Sequence, residues 1–134
     1  MIVLDEQLLG RQVEDTIAGW YRGSVRFVNE LRPNTIIKDD AIPSLLRRQP
    51  QPTFVTINVR DFWQRVEIDQ RFCVVCFNIP DSTVPVIPGL LRLLLRREDF
   101  HTKALRMGYV FRVNLDQQVR FYRYDNWRVR TFSL

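Results

Sequence analysis

Three acidic clusters stand out by position: Asp5-Glu6 directly after the apolar run Met1-Ile2-Val3-Leu4, Asp39-Asp40 directly before Ala41-Ile42, and Asp61 after Thr56-Ile57-Asn58-Val59-Arg60. Carboxylates without histidine or thiolate partners select hard cations, so Asp5, Asp39 and Asp61, with Glu6 and Asp40 beside them, form a candidate site for Mg²⁺ or Mn²⁺. One or two such ions held against a phosphodiester activate water and stabilise charge on the phosphate and the leaving oxygen. Each cluster taken alone also has a plainer reading as a helix cap or a solvated loop charge. Shared ligation requires that the three converge on one point.

The rest of the chain narrows the chemistry. His101 is the only histidine, in the plain context Phe100-His101-Thr102, which leaves no basis for Ser-His-Asp or Cys-His catalysis. Neither GxxxxGK[ST] nor GxGxxG occurs, so nucleotide-fuelled and dinucleotide-dependent readings lose their usual support. Cys73 and Cys76 lie in Phe72-Cys73-Val74-Val75-Cys76-Phe77, a strand-like run that points them to opposite faces, and they read as two buried, reduced, small hydrophobes. Reduced thiols fit a cytoplasmic protein. The start has no basic region before its apolar residues, and no run approaches 18 apolar residues, so neither a signal peptide nor a membrane span is expected.

With 134 residues, 46% hydrophobic and 26% charged, the chain suits one compact domain, residues 1–134, with 109–134 as a C-terminal extension. Twenty Lys plus Arg against 15 Asp plus Glu give a net charge of +5, and all of the cations except Lys38 and Lys103 are arginine. The planar guanidinium suits phosphate, which makes RNA a plausible partner, although arginines also simply solvate helix faces. The arginines at 92, 96 and 97 share one face of a leucine-rich helix, which reads as a solvated face ahead of the alternative, a phosphate-facing stripe.

The elements that must position the carboxylates follow from periodicity. Met1 to Leu4 is a short strand, and Leu8, Leu9, Val13, Ile17, Ala18 and Tyr21 predict one amphipathic helix from Gln7 to Tyr21. Ser24 to Val28 is a second strand, Asn29 to Lys38 a loop, and Asp39 to Arg48 a helix. Strands are expected at Thr53 to Ile57 and Phe72 to Asn78, then a loop from Pro80 to Pro88 and a helix from Gly89 to Arg97. Tyr109 to Val113 and Val119 to Tyr124 flank a turn and predict an antiparallel hairpin. Alternation of strands and helices implies an α/β fold: a mostly parallel sheet with helices on both faces and a C-terminal hairpin. The tail from Tyr122 to Phe132 interleaves Tyr124, Trp127 and Phe132 with Arg123, Arg128 and Arg130. It reads either as a base-stacking, phosphate-contacting stripe or as an edge strand or homodimer contact.

In order and spacing these motifs resemble the PIN-domain ribonucleases, in particular the compact bacterial PIN-like proteins. Ile2-Val3-Leu4-Asp5-Glu6-Gln7-Leu8 is similar to their opening strand and first acidic ligand. Asp39-Asp40-Ala41-Ile42 is similar to the D-x-x-I that starts the helix bearing the central ligand, and Thr56-Ile57-Asn58-Val59-Arg60-Asp61-Phe62 to the T-x-[ND]-x-x-D-F strand end. The resemblance implies a three-layer α/β/α PIN-like fold and a Mg²⁺- or Mn²⁺-dependent ribonuclease, in the toxin role paired with an antitoxin protein. It makes Asp5, Asp39 and Asp61 ligands, with Asp40, Thr56 and Asn58 close by, and leaves Arg11, Arg60 and Arg65 to steer RNA. One departure stands out. The helix-borne Glu that larger members carry between the first two aspartates has only Glu14, Asp15 and Glu30 as candidates, with Glu6 as a substitute. A catalytically silent PIN-like module that binds RNA or a protein partner is the alternative.

Overall fold

The computed structural model describes all 134 residues. Seven strands form a single sheet in the order β2-β1-β3-β4-β5-β6-β7: β1 Ile2–Leu4, β2 Val25–Phe27, β3 Thr53–Thr56, β4 Cys73–Asn78, β5 Tyr109–Asn114, β6 Gln118–Arg123 and β7 Asn126–Ser133. Strands β1 to β5 pair in parallel, and β6 and β7 add antiparallel strands beyond β5. The parallel strands are short, apolar and rich in Val, Ile, Phe and Cys, as strands buried on both faces must be.

Alternate strand residues fall into two separate cores. Ile2, Leu4, Val55, Val75 and Phe111 join one core with residues of α1 (Val13–Ala18) and α4 (Ile87–Leu95). Val3, Phe54, Val74 and Val110 join the other with residues of α2 (Ile42–Arg47) and α3 (Val59–Phe62). Cys73 and Cys76 are buried free thiols, one in each core, as the strand period requires. A last short helix, α5 (Lys103–Arg106), precedes β5. The connections β2-α2-β3 and β3-α3-β4 share one face while α4 lies beside α1 on the other, although all three connections step the same way along the sheet. The β4-α4-β5 crossover therefore has the opposite hand to the rest, a rare arrangement. Its consequence is that the arginines of α4 meet the end of α1.

Several expectations need correction in detail. The helix expected from Gln7 to Tyr21 is broken: a 3₁₀ turn covers Glu6–Leu8, and α1 begins only at Val13. Gly10 (φ +71°) and Gln12 (φ +62°) are left-handed, a conformation that no right-handed helix can contain. The expected Asp39 to Arg48 helix opens as a 3₁₀ turn at Asp39–Ala41 before α2. Helix α4 starts before Pro88 rather than after it, because proline is tolerated in a first turn whose amides have no helical partners. The tail forms β7, an edge strand. Phe132 is half-buried, 6.0 Å from Phe100 with Arg97 at 3.8 Å over its ring, whereas Trp127 stays exposed beside Tyr122 at 4.7 Å. No helix is long and apolar enough to cross a membrane.

Candidate carboxylate site at the sheet switch point

The chain leaves β1 toward one edge of the sheet and returns past it to form β3, so β1 and β3 flank the point where strand order reverses. In open α/β sheets ligands bind outside the carboxyl ends of strands at such a point. Asp5 follows β1, Thr56 ends β3, and Asn58 and Asp61 follow it as the cap and first turn of α3. Asp39 arrives on the 3₁₀ turn that leads into α2.

A hydrogen-bond chain joins the three aspartates through Asn58. The Asn58 backbone N–H donates to Thr56 Oγ1 at 2.9 Å, and the Thr56 hydroxyl donates to Asp5 Oδ2 at 2.6 Å. The Asn58 side-chain Nδ2 donates to Asp39 Oδ2 at 3.1 Å and to Asp61 Oδ2 at 2.9 Å, while its Oδ1 accepts from the Asp61 backbone N–H at 3.2 Å. Asn58 thus caps α3 and places two N–H bonds between two carboxylates that would otherwise only repel.

The electrostatics agree with a crowded anionic site. Asp5 is only 3% exposed, and burial pushes its carboxyl above the usual carboxylate value, against the pull of the Thr56 hydroxyl. Asp39 is also raised, first by desolvation and then by the charges of Asp5 and Asp61, with Glu6 adding a smaller push. The rise at Asp39 marks a carboxylate close enough to Asp5 and Asp61 to feel their charges.

Asp39, Asp40, Asp61 and Arg65 line a cleft of about 350 Å³. Asp5 lies behind it, reached through Thr56 and Asn58. Of the substitutes for a further carboxylate, Glu6 acts on Asp39, whereas Glu30 is spent on the Phe27 amide and on Arg26. Arg65, exposed just after α3, lines the cleft, whereas Arg60, exposed on α3, does not. Arg11 is not free for RNA: it makes a two-pronged pair with Asp81 at 2.9 and 3.1 Å and also holds the Asp81 carbonyl. That pairing, across 70 positions, had no local signal.

The all-oxygen donor set suits a hard divalent cation. As the side chains stand, no three ligating groups already surround one ion position, and the Asn58 amide occupies the space between Asp39 and Asp61. The charges converge although the ligands do not yet do so. Comparison with family models, with curated proteins and with solved structures gave no match to any of them.

Proposed function

We propose that the chain is a PIN-like protein of three-layer α/β/α build whose carboxylate site hydrolyses RNA phosphodiesters with Mg²⁺ or Mn²⁺. The observation that carries the reading is the Asn58-centred network, which gathers Asp5, Asp39 and Asp61 at the switch point of the sheet. Asp5, Asp39 and Asp61 would hold the cation, with Asp40 and Glu6 at its margin and Thr56 and Asn58 orienting the carboxylates. When bound, the cation supplies charge neutralisation at the scissile phosphate and lowers the pKa of water there.

The protein's own part follows from the geometry. Arg65, at the cleft beside Asp39 and Asp61, meets a phosphate oxygen and offsets the repulsion an RNA strand feels from the carboxylates. With Asp5, Asp39 and Asp61 committed to the cation, the attacking water would give its proton to solvent as the new O–P bond forms, and the leaving oxygen would take up a proton as its bond to phosphorus breaks. Loading the cation requires the Asn58 amide to give up its bonds to Asp39 and Asp61. The reading places the protein in the cytoplasm, acting on RNA, with an antitoxin as the protein partner in the toxin role.

One observation favours a second reading. Because Asn58 already satisfies Asp39 and Asp61, the site is stable without an ion, as a silent PIN-like binding module would be. Cleavage of a mixed RNA pool by the purified protein in Mg²⁺ or Mn²⁺ decides between them. Cleavage lost in EDTA and in Asp5→Asn and Asp61→Asn variants is the expected result. Absence of cleavage under every condition, or undiminished cleavage by both variants, overturns the nuclease reading.

A further inference from the structure

At the amino edge of the parallel strands, opposite the carboxylates, lies a cavity of about 620 Å³. That size falls within the range of small-molecule sites. It is lined by Trp20, Arg22, Arg92, Arg96, Lys103 and Arg106 among others, and no carboxylate faces it. None of the six ion pairs in the protein includes any of these five cations. Five arginines elsewhere, Arg11, Arg26, Arg47, Arg97 and Arg123, do have acidic partners.

Arg106 is the decisive group. It is 2% exposed, and it is fixed by Nε donating to Thr53 Oγ1 at 3.2 Å and Nη1 donating to the Phe100 carbonyl at 3.0 Å. A buried guanidinium without a counter-ion is costly unless an anion completes it. Its two bonds leave the outer nitrogen of the fork uncommitted, in a cavity whose other charges are also positive. The same field is felt at Met1, whose ammonium, bonded to the Tyr21 hydroxyl at 3.1 Å, is pushed below its usual pKa first by burial and then by Lys103 and Arg106.

The apolar wall is aromatic. Trp20 carries Arg92 at 6.0 Å over its ring and meets Tyr21 edge-on at 6.2 Å, which offers a planar surface within reach of the cations. Cations with a fork geometry recognise phosphate, and an aromatic wall beside them recognises a base. We propose that this cavity binds a nucleotide phosphate: Arg106, Arg92, Arg96 and Lys103 take the phosphate, and Trp20 takes the planar base. The phosphate can belong to a free nucleotide or to the 5′ end of an RNA. The proposal is independent of the carboxylate site.

Calorimetric titration of the full chain in EDTA with AMP, inorganic phosphate and adenosine tests it, with the carboxylate site kept free of metal. AMP is expected to bind more tightly than either fragment, with an affinity that falls as salt rises. Exchanging the exposed pair in Arg92→Glu/Arg96→Glu is expected to weaken AMP at least tenfold while leaving the melting profile near that of the native chain. Arg106→Met probes the buried group, and the exposed pair keeps the test valid if that variant does not fold. Oligoribonucleotides with a 5′ phosphate or a 5′ hydroxyl distinguish the sources. Preference for the 5′ phosphate assigns the site to an RNA end, and no preference alongside AMP binding assigns it to a free nucleotide. No binding of AMP at millimolar concentration, or binding unchanged in the double variant, overturns the proposal.

Discussion

Thr56→Val isolates the physical link on which the carboxylate site depends. Thr56 is fully buried, and valine matches its shape, so the substitution removes a hydroxyl without opening a cavity. Two bonds go. The 2.6 Å bond to Asp5 serves a carboxylate that is itself 3% exposed, and a hydrogen bond to a charged group contributes about 1.5 to 3 kcal/mol. The bond accepted from the Asn58 amide contributes about 1 kcal/mol more. Burying a methyl in place of the hydroxyl returns about 0.8 kcal/mol. The net loss is therefore about 2 to 3 kcal/mol at pH 7. For 134 residues, with roughly 2.1 cal/mol/K of unfolding entropy each, this lowers the melting temperature by about 7 to 11 °C.

The sign of the pH dependence sharpens the test. The Thr56 bond lowers a carboxyl that burial raises, so its removal lifts the folded-state pKa of Asp5 further. The lost stability is then fully present above that pKa and fades as acid protonates Asp5 in the folded state of both proteins. Urea titrations of the native chain and of Thr56→Val should converge to a gap of about 1 kcal/mol near pH 4. A gap under about 0.5 kcal/mol at pH 7, or one that does not change with pH, would refute the account of Asp5 as a buried anion held by Thr56.

Other outcomes follow from the same geometry. Asp5 and Asp39 both sit above the ordinary carboxylate value of 3.8, so the native state holds more protons than the unfolded one just above it. Their contribution to stability falls as pH rises from there through the raised values, and Asp39→Asn should flatten that fall in thermal melts run from pH 4 to 7. Asn58→Ala removes the α3 cap and the bridge between Asp39 and Asp61, for a loss of about 1 to 2 kcal/mol that calorimetry should find larger at pH 7 than at pH 4. Burial pushes the Cys73 thiol up to about 12 and Cys76 higher still. Both should therefore resist a disulfide reagent at pH 8 and react together on unfolding in guanidinium, whereas fast reaction of the folded chain would contradict their burial.

The parts that were legible in the sequence are those whose cause is local. Short β-branched runs ending in Asp or Thr locate β1 and β3, and with them Asp5, Thr56 and Asp61, because strand period and strand ends are properties of a few adjacent residues. The break at Gly10 and Gln12 was less legible. The apolar spacing of Leu8, Val13 and Ile17 satisfies a helical period whether or not the chain turns left-handed between them, and only Gly10 hinted that it does. Arg106 was illegible. Its significance comes from Thr53, 53 positions away, and from the absence of any carboxylate near it, which only the packed fold determines.

Charge illustrates the same limit and yields a further constraint on function. A net charge of +5 invites the idea that cations surround the acidic site and draw RNA to it. In the fold Arg11 is neutralised by Asp81, Arg65 is the one cation that lines the carboxylate cleft, and five cations without an ion pair line the cavity at the other edge of the sheet. Parallel strands impose this separation, since the turns entering them and the turns leaving them lie on opposite edges. An RNA drawn to that cluster meets the amino edge first, while Arg65 at the cleft and Arg60, exposed on α3, favour its approach to the carboxylates. Reversing both in Arg60→Glu/Arg65→Glu should impair cleavage far more than it impairs total RNA binding, while Arg92→Glu/Arg96→Glu should do the reverse. Equal effects of the two pairs in parallel cleavage and filter-binding assays would mean that the edges do not divide the work.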